Sequence, residues 1–302
     1  MPWQRVDGDF SLSLGGMAFR VLPDQPLVFP DPSDHYRNFL FADPDLSRES
    51  LVRINTIECP DVEKMGLLFD ADDAWSLRED ASGKYFVGHG PASLDGAPWV
   101  LKVEDDASAT VYGNPKVVAE DGVVICPMMY PVDQLLCVNV LADNQGMIVH
   151  SAGLKIGGKV YLFPGKSGAG KSTISQCVGE GNGVSVLSDD RMIIRKVGEQ
   201  FAAYGTPWPG DAGYAKNEHG VLGGVFFINH GSVNAVRPLT SSQALDRMMP
   251  VTSVPWFDQE KSGKVMNLMG DLATGASCCA LDFKPDGDIG AFIRHEVAGD
   301  EA

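Results

Sequence analysis

Residues 159–180 read KVYLFPGKSGAGKSTISQCVGE: an apolar run, a glycine-rich loop and a plausible helix. Within it, Gly165-Lys166-Ser167-Gly168-Ala169-Gly170-Lys171-Ser172 matches the phosphate-loop pattern G-x-x-x-x-G-K-[ST] at every fixed position. Glycines let the main chain turn tightly and approach closely, so that successive N–H groups converge on phosphate oxygens. The helix expected after the loop adds the positive end of its dipole. Lys171 is then expected to neutralise the β- and γ-phosphates and the Ser172 hydroxyl to be a ligand of Mg²⁺, with Thr173 as a helper. ATP and Mg²⁺ are the ligands that residues 165–173 imply.

Working outward, GVSVLSDDRMIIR places an apolar strand just before Asp189 and Asp190. Acids at a strand end near a phosphate loop can orient the metal, or take a proton from an attacking hydroxyl. On the other side, Pro131 followed by VDQLLCVNVLAD reads as a helix with proline near its first turn. MIVHSAGLKI and KVYLFP then read as two strands joined at Gly157-Gly158, a two-residue hairpin signal.

With those residues in view, the stretch from about Pro131 to Ile194 resembles the C-terminal kinase domain of HPr kinase/phosphorylase and its relatives. The resemblance rests on the apolar helix, IVHSAG, GKSGAGKST and VLSDDR. It implies an α/β fold, a P-loop kinase domain with a mixed sheet similar to phosphoenolpyruvate carboxykinase. It also implies transfer of the ATP γ-phosphate to a hydroxyl acceptor, which could be the serine of a protein or peptide, or a small metabolite. By matching position, Asp189 is the catalytic acid-base residue and Asp190 its partner, holding the metal with Ser172. His150 is the phosphate-proximal histidine and Lys171 the phosphate-binding lysine. Self-association into a homo-oligomer is a further implication.

The likeness has departures. Thr173 stands where the carrier-protein kinases tend to have glutamate, and their glutamate-arginine-glycine signature is not recognisable. Asp211, in YGTPWPGDAGY, or Glu218 is the candidate replacement for the missing metal-binding glutamate. Arg237, before a helix capped by Thr240 or Ser241, is a candidate for stabilising charge on the transferring phosphoryl group. GTPWPG suits a mobile substrate lid and equally a rigid loop. The competing function is a regulatory or scaffold protein that binds ATP without transferring phosphate, since a phosphate loop speaks to binding more directly than to chemistry.

Residues 1–130 read as a β-rich domain of unknown role and residues 131–302 as the nucleotide-binding domain. In the first part, AWSLRE and KYFVGH flank a turn at Asp80-Ala81-Ser82-Gly83, and PWVLKVE and ATVYG flank one at Asp105-Asp106. A helix is expected around Asp61 to Leu68 and a proline-rich loop at PLVFPDPSD. Residues 1–135 carry 10 basic and 23 acidic side chains, net -13 of the chain's -16. That balance opposes attraction to nucleic acid or an anionic membrane. MPWQRVDGDF has no basic region leading into an apolar one, and no apolar run nears the roughly 18 residues of a membrane span. A cytoplasmic location is therefore expected, and the six cysteines read as thiols rather than disulfide staples. Cys278 and Cys279, adjacent in a strand-like run, are expected to face opposite sides and pack.

Overall fold

The computed structural model of the 302-residue chain describes residues 3–30, 35–40, 49–72, 74–104, 108–181, 183–284, 289–297 and 299. The turn expected at Asp105-Asp106, and residues 31–34 of the proline-rich loop, lie outside them. The chain divides into two compact units, Met1–Val140 and Leu141–Ala302.

The first unit is built of strands: β1 (Trp3–Val6), β2 (Phe10–Leu14), β3 (Met17–Pro23), β4 (Leu27–Pro30), β5 (Glu49–Asn55), β6 (Gly66–Asp70), β7 (Trp75–Asp80), β8 (Gly83–Gly88), β9 (Trp99–Val103), β10 (Ser108–Gly113) and β11 (Val124–Ile125). One sheet runs β1-β4-β11 and a larger one runs β2-β3-β5-β10-β9-β8-β7-β6. Alternation explains strands such as β10, where Ala109, Val111 and Gly113 are buried and Ser108, Thr110 and Tyr112 are half-buried. The β7–β8 hairpin closes with Asp80 opposite Gly83, at the turn read from sequence. The helix expected over Asp61 to Leu68 is not formed: a 3-10 turn covers Val62–Lys64 and β6 follows. Gly66 is a poor helix former, and Leu67 and Phe69 instead ladder onto β7. LVFP, read as loop, is β4, paired to both β1 and β11.

The second unit begins inside α1 (Val132–Asp143), the helix expected after Pro131. It continues with β12 (Gly146–Ile156), β13 (Lys159–Pro164), α2 (Lys171–Val178), β14 (Val184–Ser188), β15 (Arg191–Val197), β16 (Gln200–Tyr204) and β17 (His219–His230). After these come β18 (Ala235–Pro238), α3 (Ser241–Met248), β19 (Thr252–Ser253), α4 (Gln259–Gly275), β20 (Cys278–Phe283) and α5 (Ile289–Phe292). The sheet has nine strands. Successive pairing of β12, β15, β16, β17 and β13 returns to β12, so those strands close a ring.

Strand β13, beyond Lys159, and residues Gly224 to Ile228 of β17 are buried on both faces, and each reads as a short apolar run. Val160, Leu162, Val225 and Phe227 join a core with α3 and α4, built on Ala244, Met248, Leu268 and Leu272. Tyr161, Phe163, Phe226 and Ile228 point the other way, to Ile174 of α2 and Ile289 of α5. Cys278 and Cys279 divide between the same two cores, and burial pushes the Cys278 thiol up to about 11. All six cysteines are free thiols.

The α/β kinase architecture expected from the resemblance is overturned. The chain is mostly β, with 43% strand against 22% helix, arranged in three mixed or antiparallel sheets. A parallel pair needs a crossover, usually a helix, whereas an antiparallel pair needs only a turn. Here β14, β15, β16 and β17 follow one another with no helix between them, as do β12 and β13. Helix α2 is short, ending where Gly179 follows Val178.

Asp143, at the end of α1, is held by Lys264 at 2.7 Å and Lys261 at 3.4 Å. Burial pushes its carboxyl up, but the hydrogen bond from Lys264 and the charges of both lysines outweigh that and leave it below the usual range. The depressed value means that the ionised pair stabilises the fold above the unfolded pKa of about 3.9 and stops doing so as pH falls through the lower folded value. Asp143→Asn should therefore flatten the pH dependence of stability below about pH 4, by on the order of 1 kcal/mol or less after solvent screening. Urea unfolding between pH 2 and 6 checks it; parallel curves for variant and parent would reject the pairing.

Candidate functional site

Strand β13 leads directly into the glycine-rich loop. Gly165 N–H donates to the His150 carbonyl at 3.2 Å, fastening the start of the loop to β12, and Ala169 N–H donates to Lys166 O at 3.1 Å. Lys166, Ser167 and Gly168 form an exposed tip. At Gly170 the backbone has φ +104°, and a Cβ there would sit 3.0 Å from the Phe283 ring. That combination calls for glycine immediately before α2.

Lys171 is buried at the first position of α2. Its Nζ donates to the carbonyls of Gly165 at 3.0 Å and Lys166 at 3.3 Å, and lies 3.7 Å from Asp190 Oδ1. Burial pushes the ammonium pKa down, with Asp190 opposing the shift. A partly desolvated cation at the mouth of a loop is suited to a phosphate that restores its charge balance.

Asp190 meets three basic side chains. His150 Nε2 lies 2.8 Å from Oδ1, Arg191 Nη1 donates to Oδ2 at 2.8 Å, and Lys171 is the third. Burial pushes the Asp190 carboxyl up, but the His150 hydrogen bond, followed by Arg191 and Lys171, holds it below the ordinary range. Asp189 and Asp190 together balance Lys171 and Arg191, and both acids act on the Lys171 ammonium.

Asp189 is different. It is fully buried, and each oxygen accepts two hydrogen bonds. Oδ1 takes the N–H groups of Gly210 at 2.9 Å and Tyr214 at 3.2 Å; Oδ2 takes the N–H of Ala212 at 2.8 Å and the Ser172 hydroxyl at 3.2 Å. The carboxylate's roughly four acceptor sites are thereby filled. A Cβ at Gly210 would lie 2.9 Å from Asp189 Oδ2, so the loop can approach this closely because glycine stands there.

The expected residues thus separate. His150, Lys171, Ser172, Asp189 and Asp190 come together around the first turn of α2, with Thr173 half-buried beside them. Asp211 is exposed between Gly210 and Ala212, both of which bind Asp189, so it borders the site. Glu218 is engaged elsewhere, by Lys155 at 3.2 Å and Ser185 at 3.0 Å. Arg237 lies in β18 and binds Asp282 with both ends of its guanidinium, rather than reaching toward the phosphate loop. GTPWPG is a packed segment: Thr206 and Trp208 are buried, and the Thr206 hydroxyl donates to Arg191 O at 2.7 Å. The cap ahead of α3 is Thr240, which forms a capping box with Gln243.

Two participants were missed in the sequence. Arg191 was signalled only by its place after the acid pair, and the amides of residues 210, 212 and 214 carry no side-chain signal at all. Mg²⁺ fits the Ser172 hydroxyl and the Asp190 carboxylate, which are hard oxygen donors, and this ion commonly uses few protein ligands alongside phosphate and water; Asp189, with both oxygens occupied, is not among them. Among the described residues, no group of three or more His, Cys, Asp or Glu side chains converges as a dedicated metal cage, and no helix is long and apolar enough to cross a membrane. No protein-family model matches the chain, and no match is found among curated proteins.

Proposed function

We propose that the chain is an ATP-dependent, Mg²⁺-requiring phosphotransferase that passes the γ-phosphate to a hydroxyl group. The observation that carries this reading is the convergence of Lys171, Ser172 and two differently furnished acids beside one phosphate loop. Lys171 and the loop amides bind the phosphates. Ser172 would hold Mg²⁺, since its proton goes to Asp189 and its lone pairs stay available. Bound there, the ion would supply charge neutralisation on the phosphates.

The two acids take roles exchanged from those the sequence suggests. Asp189, with its acceptor sites filled, fixes the orientation of Ser172. Asp190, held by His150 and Arg191 with Lys171 at 3.7 Å, has fewer of its acceptor sites filled than Asp189 and is partly open to solvent, so of the two acids it is the one able to receive the acceptor's proton. The likeness of IVHSAG, GKSGAGKST and VLSDDR to HPr kinase/phosphorylase supports a hydroxyl acceptor at the level of these residues, not through the fold. The free thiols favour a cytoplasmic setting.

The test is transfer of label from γ-³²P-ATP, with Mg²⁺, to seryl peptides and small hydroxyl compounds. A labelled product is expected, and Ser172→Ala should need about tenfold more Mg²⁺ for half-maximal rate. Tight ATP binding with no label transferred to any acceptor would instead favour the regulatory reading.

A further inference from the structure

The outer edge of the first unit's larger sheet carries an unusual strand. All five residues of β6 are exposed, and three are large and apolar: Leu67 at 55%, Leu68 at 44% and Phe69 at 47%. Among the described residues β6 pairs only with β7, leaving its other edge with unused main-chain donors and acceptors. Such edges are normally blunted by a lysine, a proline, an inward charge or a bulge; the apolar run of GLLFD has none of the first three, and the register shift between Leu67 and Phe69 leaves all three apolar side chains exposed. Phe69 lies against Trp75, with ring centroids 5.6 Å apart.

The surroundings say what would cover it. Between residues 61 and 80, Asp61, Glu63, Asp70, Asp72, Glu79 and Asp80 are described, Glu79 standing opposite Lys84 of β8, and the cations within this stretch are Lys64 and Arg78. Both cations are engaged, Lys64 with Asp61 at 2.6 Å and Arg78 with the Val62 carbonyl at 3.2 Å. A second copy of this edge would bring six more acids against these, whereas a basic strand would meet complementary charge. We propose that the free edge of β6 is a docking site for an extended, lysine- or arginine-bearing polypeptide segment, which adds to the sheet as a further strand. This does not depend on the phosphotransferase reading.

The probe is a fluorescein-labelled peptide alternating Lys and Val, titrated with the full chain and read by anisotropy. It should bind about tenfold or more tighter than a Glu-Val peptide, and than a Lys-Val peptide N-methylated at alternate amides, which keeps its charge but cannot pair. Phe69→Lys should weaken binding by a similar factor with the melting temperature preserved. If that variant fails to fold, Leu68→Thr, which keeps strand propensity while removing apolar surface, takes its place. Equal binding of the N-methylated peptide would reduce the effect to bulk charge and overturn the proposal. A dimer seen by light scattering and dissolved by the edge variants would also overturn it, assigning the edge to a second copy.

Discussion

Asp190→Asn is expected to lower kcat by about 10²- to 10⁴-fold, the range typical of removing a positioned proton acceptor, while ATP binds as well as before or more tightly. The two effects have opposite signs for a structural reason. Asp190 is the anion that Lys171, Arg191 and His150 share, so removing its charge leaves those groups better able to attract phosphate. The same change takes away the partly exposed oxygen available to a reacting hydroxyl. Turnover by ADP release, alongside calorimetric ATP affinity, separates the two. Unchanged kcat would remove Asp190 from proton transfer, and a large loss of ATP affinity would mean that it serves mainly to position Lys171.

Asp189→Ala should act on the fold. Three backbone N–H groups and the Ser172 hydroxyl lose their shared acceptor in a place sealed from solvent. Removing one partner of a buried charged network costs about 3–5 kcal/mol. Asp189→Asn should be milder but still destabilising, since an amide retains one acceptor oxygen and turns N–H donors toward N–H donors. Had Asp189 been the proton acceptor, Asp189→Asn would give a stable, nucleotide-binding and inactive protein. Urea unfolding distinguishes the cases; a loss below about 1 kcal/mol for Asp189→Ala would mean that water replaces the carboxylate at those amides.

The glycine-rich loop was legible as a phosphate-loop motif because that motif is written in residue types. A tight turn and close backbone approach require glycine, charge neutralisation requires the lysine, and the hydroxyl must follow it. The acid pair was legible as acids, but not which of the two is saturated. The deciding partners are main-chain amides 21 to 25 residues downstream of Asp189, and any residue other than proline offers the same N–H. Glu218 and Asp211 illustrate the same limit: both are acids beyond the GTPWPG segment, and only the course of the chain brings the exposed Asp211 beside the site while Lys155 and Ser185 hold Glu218 away.

The strands were individually readable in runs such as KVYLFP and VSVLS. Their assembly was not: the family resemblance implied an α/β kinase domain, whereas β14, β15, β16 and β17 follow one another with no helix between them. Likewise, a helix was expected around Asp61 to Leu68, where a 3-10 turn is followed by a strand whose Leu67 and Phe69 pair with β7.

The ring of five strands has a mechanical consequence. A hoop offers no loose end from which to peel, and β13 is stitched along both sides, to β12 and to β17. The strand that carries the glycine-rich loop is therefore anchored, and on the proposed reading any movement during a turnover falls to the exposed tip, Lys166 to Gly168, or to the molecule that would arrive to be modified.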